Sequence, residues 1–464
     1  MASPKRAARL MAALMTTASL CALAPHAFAQ DKMPPIIRDT EIEEILHRET
    51  APVIAASGLN PDDVHVYIVG DKEINAFSAG GQNIFIFTGL LEETENPNQL
   101  IGVVAHEAGH ISGGHLIRNE MRDAGLKPFL LTMGLGLLAA AAGNGEAAAA
   151  AIVSAPQMGA LGAIGYSRTQ EGAADQAAAT SLEKAGISGK GIVDFFDKYR
   201  YEEVFDNARR DQYFIDHPLS EDRIEALRRR VEAAPHYGET DSAEAIRAHE
   251  LMKAKLSAFI EAPQLTFNKY PATDTSFIAR YSRAIAYYQA TEPDEAVRQL
   301  DGLIKDYPDD PYLYELKGQV LFESSRAAEA EPAHRKSVEL KPNAPLLLIN
   351  LAQCLIVEGK PAQLEEAVGD LHKALGIEKG DDSVAWRLLS QAYDAENMPG
   401  EARLAAAEEH FNLGQLRDAK SFAMRARELL KRNSPEWRRA TDIVLVAATP
   451  EDVRELSRAD SGQQ

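Results

Sequence analysis

The sequence predicts an α+β domain followed by an all-α solenoid of helix pairs. Three observations carry that reading. Residues 64–87 are rich in β-branched and aromatic runs set between glycine turns. Residues 98–117 switch to apolar residues spaced three and four apart, and they carry a His-Glu-x-x-His pattern. From about residue 277 the chain resembles itself at a 34-residue offset. A chain of 464 residues, 45% hydrophobic and 25% charged, is long enough for two or three such domains and has ordinary globular composition.

The N-terminal segment reads as an address. Lys5, Arg6 and Arg9 precede an uncharged, mostly apolar stretch from Leu10 to Ala24, and Ala27-Phe28-Ala29 supplies a small-x-small cleavage pattern. Residues 1–29 are expected to be a secretory signal peptide cut after Ala29, which places the mature chain in a bacterial periplasm. Leu20 before Cys21 argues against lipidation. The mature chain keeps one cysteine, Cys354, so no intramolecular disulfide is expected, and its apolar neighbours suggest a small buried hydrophobe. Acidic residues outnumber basic ones 69 to 49, which disfavours nucleic acid as a partner.

Three strand segments follow: 64–69, 74–78 and 84–87, the last two flanking Gly80-Gly81. They predict a small antiparallel sheet. Leu100, Val103, Val104 and Ile111 then mark an amphipathic helix. Residues 128–167 carry one charge, Glu146, and consist largely of Ala and Gly. Phe129 to Ala142 is too short to span a bilayer, and Pro156 breaks the second half. Two short helices covering the site are expected there, and no stable membrane span. Residues 236–276 read as a charged helical connector, with Arg228, Arg229 and Arg230 just before it on a solvated face.

The repeats begin with Ala284, Tyr287, Ala296, Leu300 and Pro308 and recur as Gly318, Leu321, Ala330 and Pro342. They continue through Ala352, Leu355 and Ala367 after an insertion near Lys360, then through Trp386, Ser390, Tyr393 and Ala402. Gly414, Ala419 and Ala426 mark a degenerate last unit. Small residues let helices approach closely, and the two prolines close helix pairs. The period resembles the tetratricopeptide repeat, whose stacked units form a concave surface for peptide or protein.

The chemistry centres on His106-Glu107-Ala108-Gly109-His110. Residues i and i+4 share a helix face, so both imidazoles can bind one metal, and Glu107 beside them can reach a metal-bound water. Zinc lowers the pKa of such a water, and a carboxylate completes its activation. A third ligand is needed. His115 falls one residue short of the HExxHxxGxxH spacing, where Leu116 stands, and reads as an ordinary polar helix-end residue. Glu171 is the better candidate. Glu171 and Asp175 are again i and i+4, so Glu171 can ligate while Asp175 accepts the second ring proton of a ligating histidine.

These residues, with Asn75 to Gly81, Ile84-Phe85 and Thr88-Gly89-Leu90, resemble the M48 family of zinc peptidases, the HtpX-like and CAAX-prenyl-protease-like group. The likeness covers roughly residues 40–235. The combination of signal peptide, peptidase and repeats is similar to that family's periplasmic, barrel-assembly branch. The resemblance implies an α+β zincin-like metallopeptidase domain at 30–235, a tetratricopeptide-repeat domain at 277–450 and a polar tail at 451–464. It implies one Zn2+ per chain on His106, His110 and Glu171, with Glu107 as base, a metalloendopeptidase of the gluzincin type. It implies action on unfolded or stalled outer-membrane proteins, with repeats engaging the outer-membrane β-barrel assembly machinery. The family's HP-x-x-x-x-R pattern is matched by His217, Pro218 and Arg223, which that family places near the metal. His217 is then expected either to donate to the substrate oxyanion or to occupy zinc's fourth position and hold the enzyme off. Arg223 is an oxyanion or supporting candidate. Substrate is expected to lie along the edge of the 84–87 strand. Two other readings stand beside this one: a chaperone or scaffold led by the repeats, and a membrane-embedded peptidase of the HtpX-like type.

Overall fold

The computed structural model describes residues 36–79, 81–115, 168–199, 217 and 219–447. The expectations for the signal peptide at 1–29, the cover at 128–167 and the tail at 451–464 lie outside the described residues, as does Pro218.

The N-terminal half starts with β1 (Ile36–Ile37) and α1 (Thr40–Ala56), capped by the Asp39 side chain on the Ile42 amide. Then come β2 (His65–Val69), β3 (Ala76–Ala79) and β4 (Asn83–Phe87). The sheet order is β1-β2-β4-β3. β3 and β4 pair antiparallel across the Gly81 turn, with Phe77 opposite Phe85. β2 and β4, however, pair in parallel, from His65 opposite Asn83 to Val69 opposite Phe87. The sheet is therefore mixed, not the antiparallel meander read from the sequence. The reason is topological: β3 docks on the far side of β4 and turns the 70–75 loop into a crossover. One consequence corrects the expected substrate edge. β4 is flanked on both sides, so its 84–87 segment offers no free edge, and the edge strand beside it is β3.

Two helices follow directly, α2 (Thr88–Glu93) and α3 (Pro97–Ser112). α3 begins with Asn96 accepting from the Gln99 amide and Pro97 in the first turn, the pattern that starts a helix without wasting a donor. It is the central helix of this half, and every residue from Leu100 to His110 is buried. α4 (168–185), α5 (Lys190–Tyr199) and α6 (Glu221–Glu232) complete the layer around it. Val103, Val104, Ile68, Ile84, Ile86, Ile192, Phe195 and Leu227 share one core. The helix from 243 to 260, which the sequence reading assigns to a connector, adds Ala248, Met252 and Leu256 to that same core. Arg228 and Arg230 pair with Asp197 and Glu183, so this basic run lies on a partly exposed face tied down by acids.

The N-terminal half continues through α7 (Ala243–Ile260) and α8 (Pro263–Lys269) into five helix pairs. These are α9 (Phe277–Gln289) with α10 (Pro293–Asp306), α11 (Pro311–Glu323) with α12 (Ala327–Leu340), and α13 (Pro345–Glu358) with α14 (Pro361–Ile377). The last two are α15 (Ser383–Ala395) with α16 (Pro399–Asn412), and α17 (Leu416–Leu429) with α18 (Pro435–Val446). The first three pairs start at 277, 311 and 345, two equal steps of 34 residues. Pro308 and Pro342 stand just past the ends of α10 and α12. Cys354 is buried between Leu321 and Ala330 of the neighbouring pair, and burial pushes its thiol up to about 12.

The repeats curl back onto the start of the N-terminal half. Arg38 reaches Glu378 at 3.1 Å and Asp382 at 3.5 Å, and Thr40 donates to Glu315 at 3.0 Å. Lys255, fully buried, pairs with Asp39 at 2.8 Å and Glu41 at 3.0 Å, and the Tyr281 hydroxyl donates to Glu41 at 3.1 Å.

Candidate metal centre

The site forms where α3 and α4 cross. A Cβ on Gly109 would stand 2.9 Å from the Ala174 carbonyl oxygen, closer than any real side chain tolerates. Glycine between the two histidines therefore lets α4 pass against α3, and the crossing carries Glu171 and Asp175 onto His106 and His110. His217, which lies just before α6, enters from a third side.

His106, His110, Glu171 and His217 are all buried and offer ligand atoms within 4.8 Å of one another. His106 Nε2 lies 3.1 Å from His110 Nε2, 3.3 Å from Glu171 Oε2 and 3.3 Å from His217 Nδ1. His110 Nε2 lies 3.3 Å from Glu171 Oε1, and His217 Nδ1 lies 3.0 Å from Glu171 Oε2. A tetrahedron with bonds of about 2.0–2.1 Å has edges of about 3.3 Å, so the donor spacing fits zinc. The donor set, imidazole nitrogens with one carboxylate, is also that of a catalytic zinc site. Four buried donor atoms facing one another at these distances suit a cation between them.

The surroundings orient these donors. His106 Nδ1 faces Asp175 Oδ1 at 3.1 Å. Arg223 grips Asp175 with two hydrogen bonds, Nε to Oδ2 at 2.8 Å and Nη2 to Oδ1 at 2.9 Å, and sends Nη1 to 3.3 Å from Glu171 Oε2. The guanidinium thus supports the acids from behind. Phe196 stands edge-on to His106. Burial alone would discharge His106, but the Asp175 and Glu171 carboxylates overcome it and push the ring up to about 10. His110, buried beside that charge, is pushed down to about 2. Glu171 is held well below the usual carboxylate range: burial works against this, but the His106 and His217 rings outweigh it.

Glu107 is fully buried, and among the described residues neither carboxylate oxygen makes a hydrogen bond of full geometry. Burial raises its pKa, opposed by the His217 and His106 rings and, more weakly, by the Ser78 hydroxyl on β3. His217 Nε2 lies 3.5 Å from Glu107 Oε1. The structure therefore brings together every residue singled out from the sequence: His106, Glu107, His110, Glu171, Asp175, His217 and Arg223. It also brings in two that the sequence reading passed over. One is Ser78, which the resemblance included only as part of a longer run. The other is His115, read as a helix-end residue, whose Nδ1 lies 3.0 Å from His110 Nδ1. The signal available for His115 was the Gly113-Gly114 pair before it, which forecasts a chain reversal.

Comparison with known proteins adds three relatives. The family described as Peptidase family M48 matches residues 40–231. The Beta-barrel assembly-enhancing protease of Escherichia coli strain K12 is 25% identical over 407 residues, covering 86% of this chain and 82% of that one. Its namesake in Yersinia pestis is 23% identical over 408 residues, covering 87% and 83%. The Metalloprotease YcaL of Escherichia coli strain K12 is 30% identical over 192 residues, covering 40% of this chain and 69% of that one.

Proposed function

This chain belongs to peptidase family M48, and from that premise we propose that it is a periplasmic zinc-dependent endopeptidase acting in outer-membrane protein quality control and assembly. The observation that carries the catalytic part is Glu107: a fully buried carboxylate with no full hydrogen bond among the described residues, beside a converging set of metal donors. A structural metal site has no use for such a group.

His106, His110 and Glu171 would hold one zinc. When bound, zinc supplies Lewis acidity, activating water and polarising the scissile carbonyl. Glu107 accepts the proton of the attacking water and delivers it to the leaving amine. Asp175 keeps the His106 proton on Nδ1, so Nε2 presents its lone pair, and Arg223 fixes Asp175. Substrate adds as a strand along β3, which has β4 on one side only among the described residues and carries Ser78 toward Glu107.

His217 is the regulatory element of this reading. Its Nδ1 stands among the donors, 3.0 Å from Glu171 and 3.3 Å from His106, in the place a fourth ligand would take. A catalytic zinc needs that place for water. The ring in this position therefore favours self-inhibition over oxyanion binding, and it must swing out before turnover.

The periplasmic setting rests on residues 1–29, and the outer-membrane substrates rest on the relatives' name. The repeats would recruit stalled barrels or the assembly machinery. Among the described residues no helix is long and apolar enough to cross a membrane, and residues 128–167, on which the membrane-embedded alternative rests, lie outside them. Wild type and Glu107→Gln, incubated with an unfolded outer-membrane β-barrel, test the enzymatic reading. Wild type should cleave, and the variant should lose about 10²–10⁴-fold in rate while retaining zinc by elemental analysis. Undiminished cleavage by the zinc-loaded variant would remove Glu107 from the mechanism. Deleting the chain after about residue 276 tests the repeats: zinc should stay bound, while cleavage of native substrates drops below cleavage of a short peptide.

A further inference from the structure

His106 and His110 both turn Nε2 toward the centre, so each ring's Nδ1 points outward and needs a partner of its own. For His106 that partner is Asp175. For His110 it is another imidazole, His115, with Nδ1 facing Nδ1 at 3.0 Å and the rings edge-on at 5.0 Å. We propose that His115 is a positioning residue for the metal: its Nδ1 accepts the His110 Nδ1 proton and fixes the tautomer that presents His110 Nε2. The proposal rests on the zinc reading above.

The backbone is built to make this contact. α3 ends with the His115 amide donating to the His110 carbonyl at 3.1 Å and the Gly114 amide to the Ile111 carbonyl at 3.0 Å. Gly114 takes the left-handed conformation, φ +68°. This paired reversal folds the second residue beyond the cap back onto the third-last residue of the helix, a contact usually made by apolar side chains. Here those two residues are His115 and His110. A Cβ on Gly113 would stand 2.7 Å from His115 Nε2, so glycine at that position leaves room for the ring. Only one proton arrangement suits the pair. A ligating His110 gives its Nε2 lone pair to the metal and carries its proton on Nδ1. His115 must then present a bare Nδ1 and keep its own proton on Nε2. Losing that acceptor leaves a buried donor poorly satisfied and the His110 ring free to turn, and such losses typically cost about 10–100-fold in metal affinity.

The test is a chelator-competition titration of zinc on the mature protein, with cobalt substitution to read the ligand field by absorption. Failure of wild type to bind zinc would sink the metal reading itself. Given a zinc-binding wild type, His115→Ala should bind zinc about 10–100-fold more weakly, with the melting temperature of the metal-free protein unchanged. His115→Asn, whose Oδ1 can stand where Nδ1 stood, should recover most of that affinity and the wild-type cobalt spectrum. Gly113→Ala should weaken zinc with the imidazole still present, because the new methyl displaces the ring. Equal zinc affinity in His115→Ala and wild type overturns the proposal, as does an Asn variant no better than Ala.

Discussion

Two buried clusters of charge that share no residue resolve the same difficulty differently. At the α3–α4 crossing, Glu171 and Asp175 face three histidines. Where the repeats meet the peptidase half, Asp39, Glu41 and Glu315 surround Lys255, with Tyr281 and Thr40 as donors. Burial pushes Glu41 and Glu315 up, and Lys255 counters it, while the same acids raise Lys255 well above its ordinary value. The second cluster brings its own cation and closes on itself. The first turns lone pairs toward a common centre and leaves Glu107 with no full hydrogen bond among the described residues. A concentration of buried acids is thus no sign of a metal. The sign is donor atoms converging where no ammonium or guanidinium fills the centre.

Removing the central cation from the closed cluster is the sharpest way to break that contrast. Lys255→Met should cost about 3–5 kcal/mol of stability in chemical denaturation, because it strands buried acids. Zinc bound under native conditions should be unchanged, since the two clusters share no residue. Loss of zinc in a still-folded Lys255→Met protein would show the clusters to be coupled.

The open cluster predicts a smaller effect of opposite sign. His217→Ala should raise basal proteolysis several-fold and leave zinc on the other three donors. A fall in rate with unchanged substrate binding would return His217 to the oxyanion role, and an unchanged rate would leave it with neither.

A third buried pair lies between the two extremes. Glu49 has neither carboxylate oxygen hydrogen-bonded, and His249 Nδ1 lies 4.0 Å away. Burial pushes Glu49 up to about 7 and, with Lys253 nearby, pushes His249 down to about 4. For Glu49 the folded chain holds its proton longer than the unfolded chain, so its contribution to stability falls as pH rises from about 4.5 to 7. For His249 the unfolded chain takes up the proton first, so its contribution falls as pH drops from about 6.5 to 4. The two slopes oppose each other across most of one window. Glu49→Gln should expose the histidine's slope, with stability rising by up to about 1.4 kcal/mol per pH unit between roughly pH 4 and 6.5. Denaturation midpoints against pH would show it, and a flat profile in the variant would mean that His249 is already charged in the folded state.

Much of the site was legible because its spacing is local. His106 and His110, and Glu171 and Asp175, are each four apart on one helix, so shared faces follow from helical geometry alone. The repeats were legible for a similar reason: the first four pairs restart at a proline or after a capping residue, and the first steps keep 34 residues. The strands were legible as strands, but their partners were not. Nothing in 64–69 or 84–87 says that they run parallel, because a strand's own alternation does not encode which neighbour it meets. The edge position of β3 was hidden for the same reason.

By itself, the sequence determined the strand segments of 64–87, the helix that carries His106 and His110, the shared faces of His106 with His110 and of Glu171 with Asp175, and the repeat period, since each depends on contacts within a few residues. Tertiary structure decided which of these local pieces meet. Gly109 permits the crossing that joins His106 to Glu171, and a contact 111 residues apart brings His217 to His106. The reversal at Gly114 returns His115 to His110, and folding the repeats back closes acids from two distant segments around Lys255. Such meetings depend on shape and free space between distant helices, which no periodicity along the chain records.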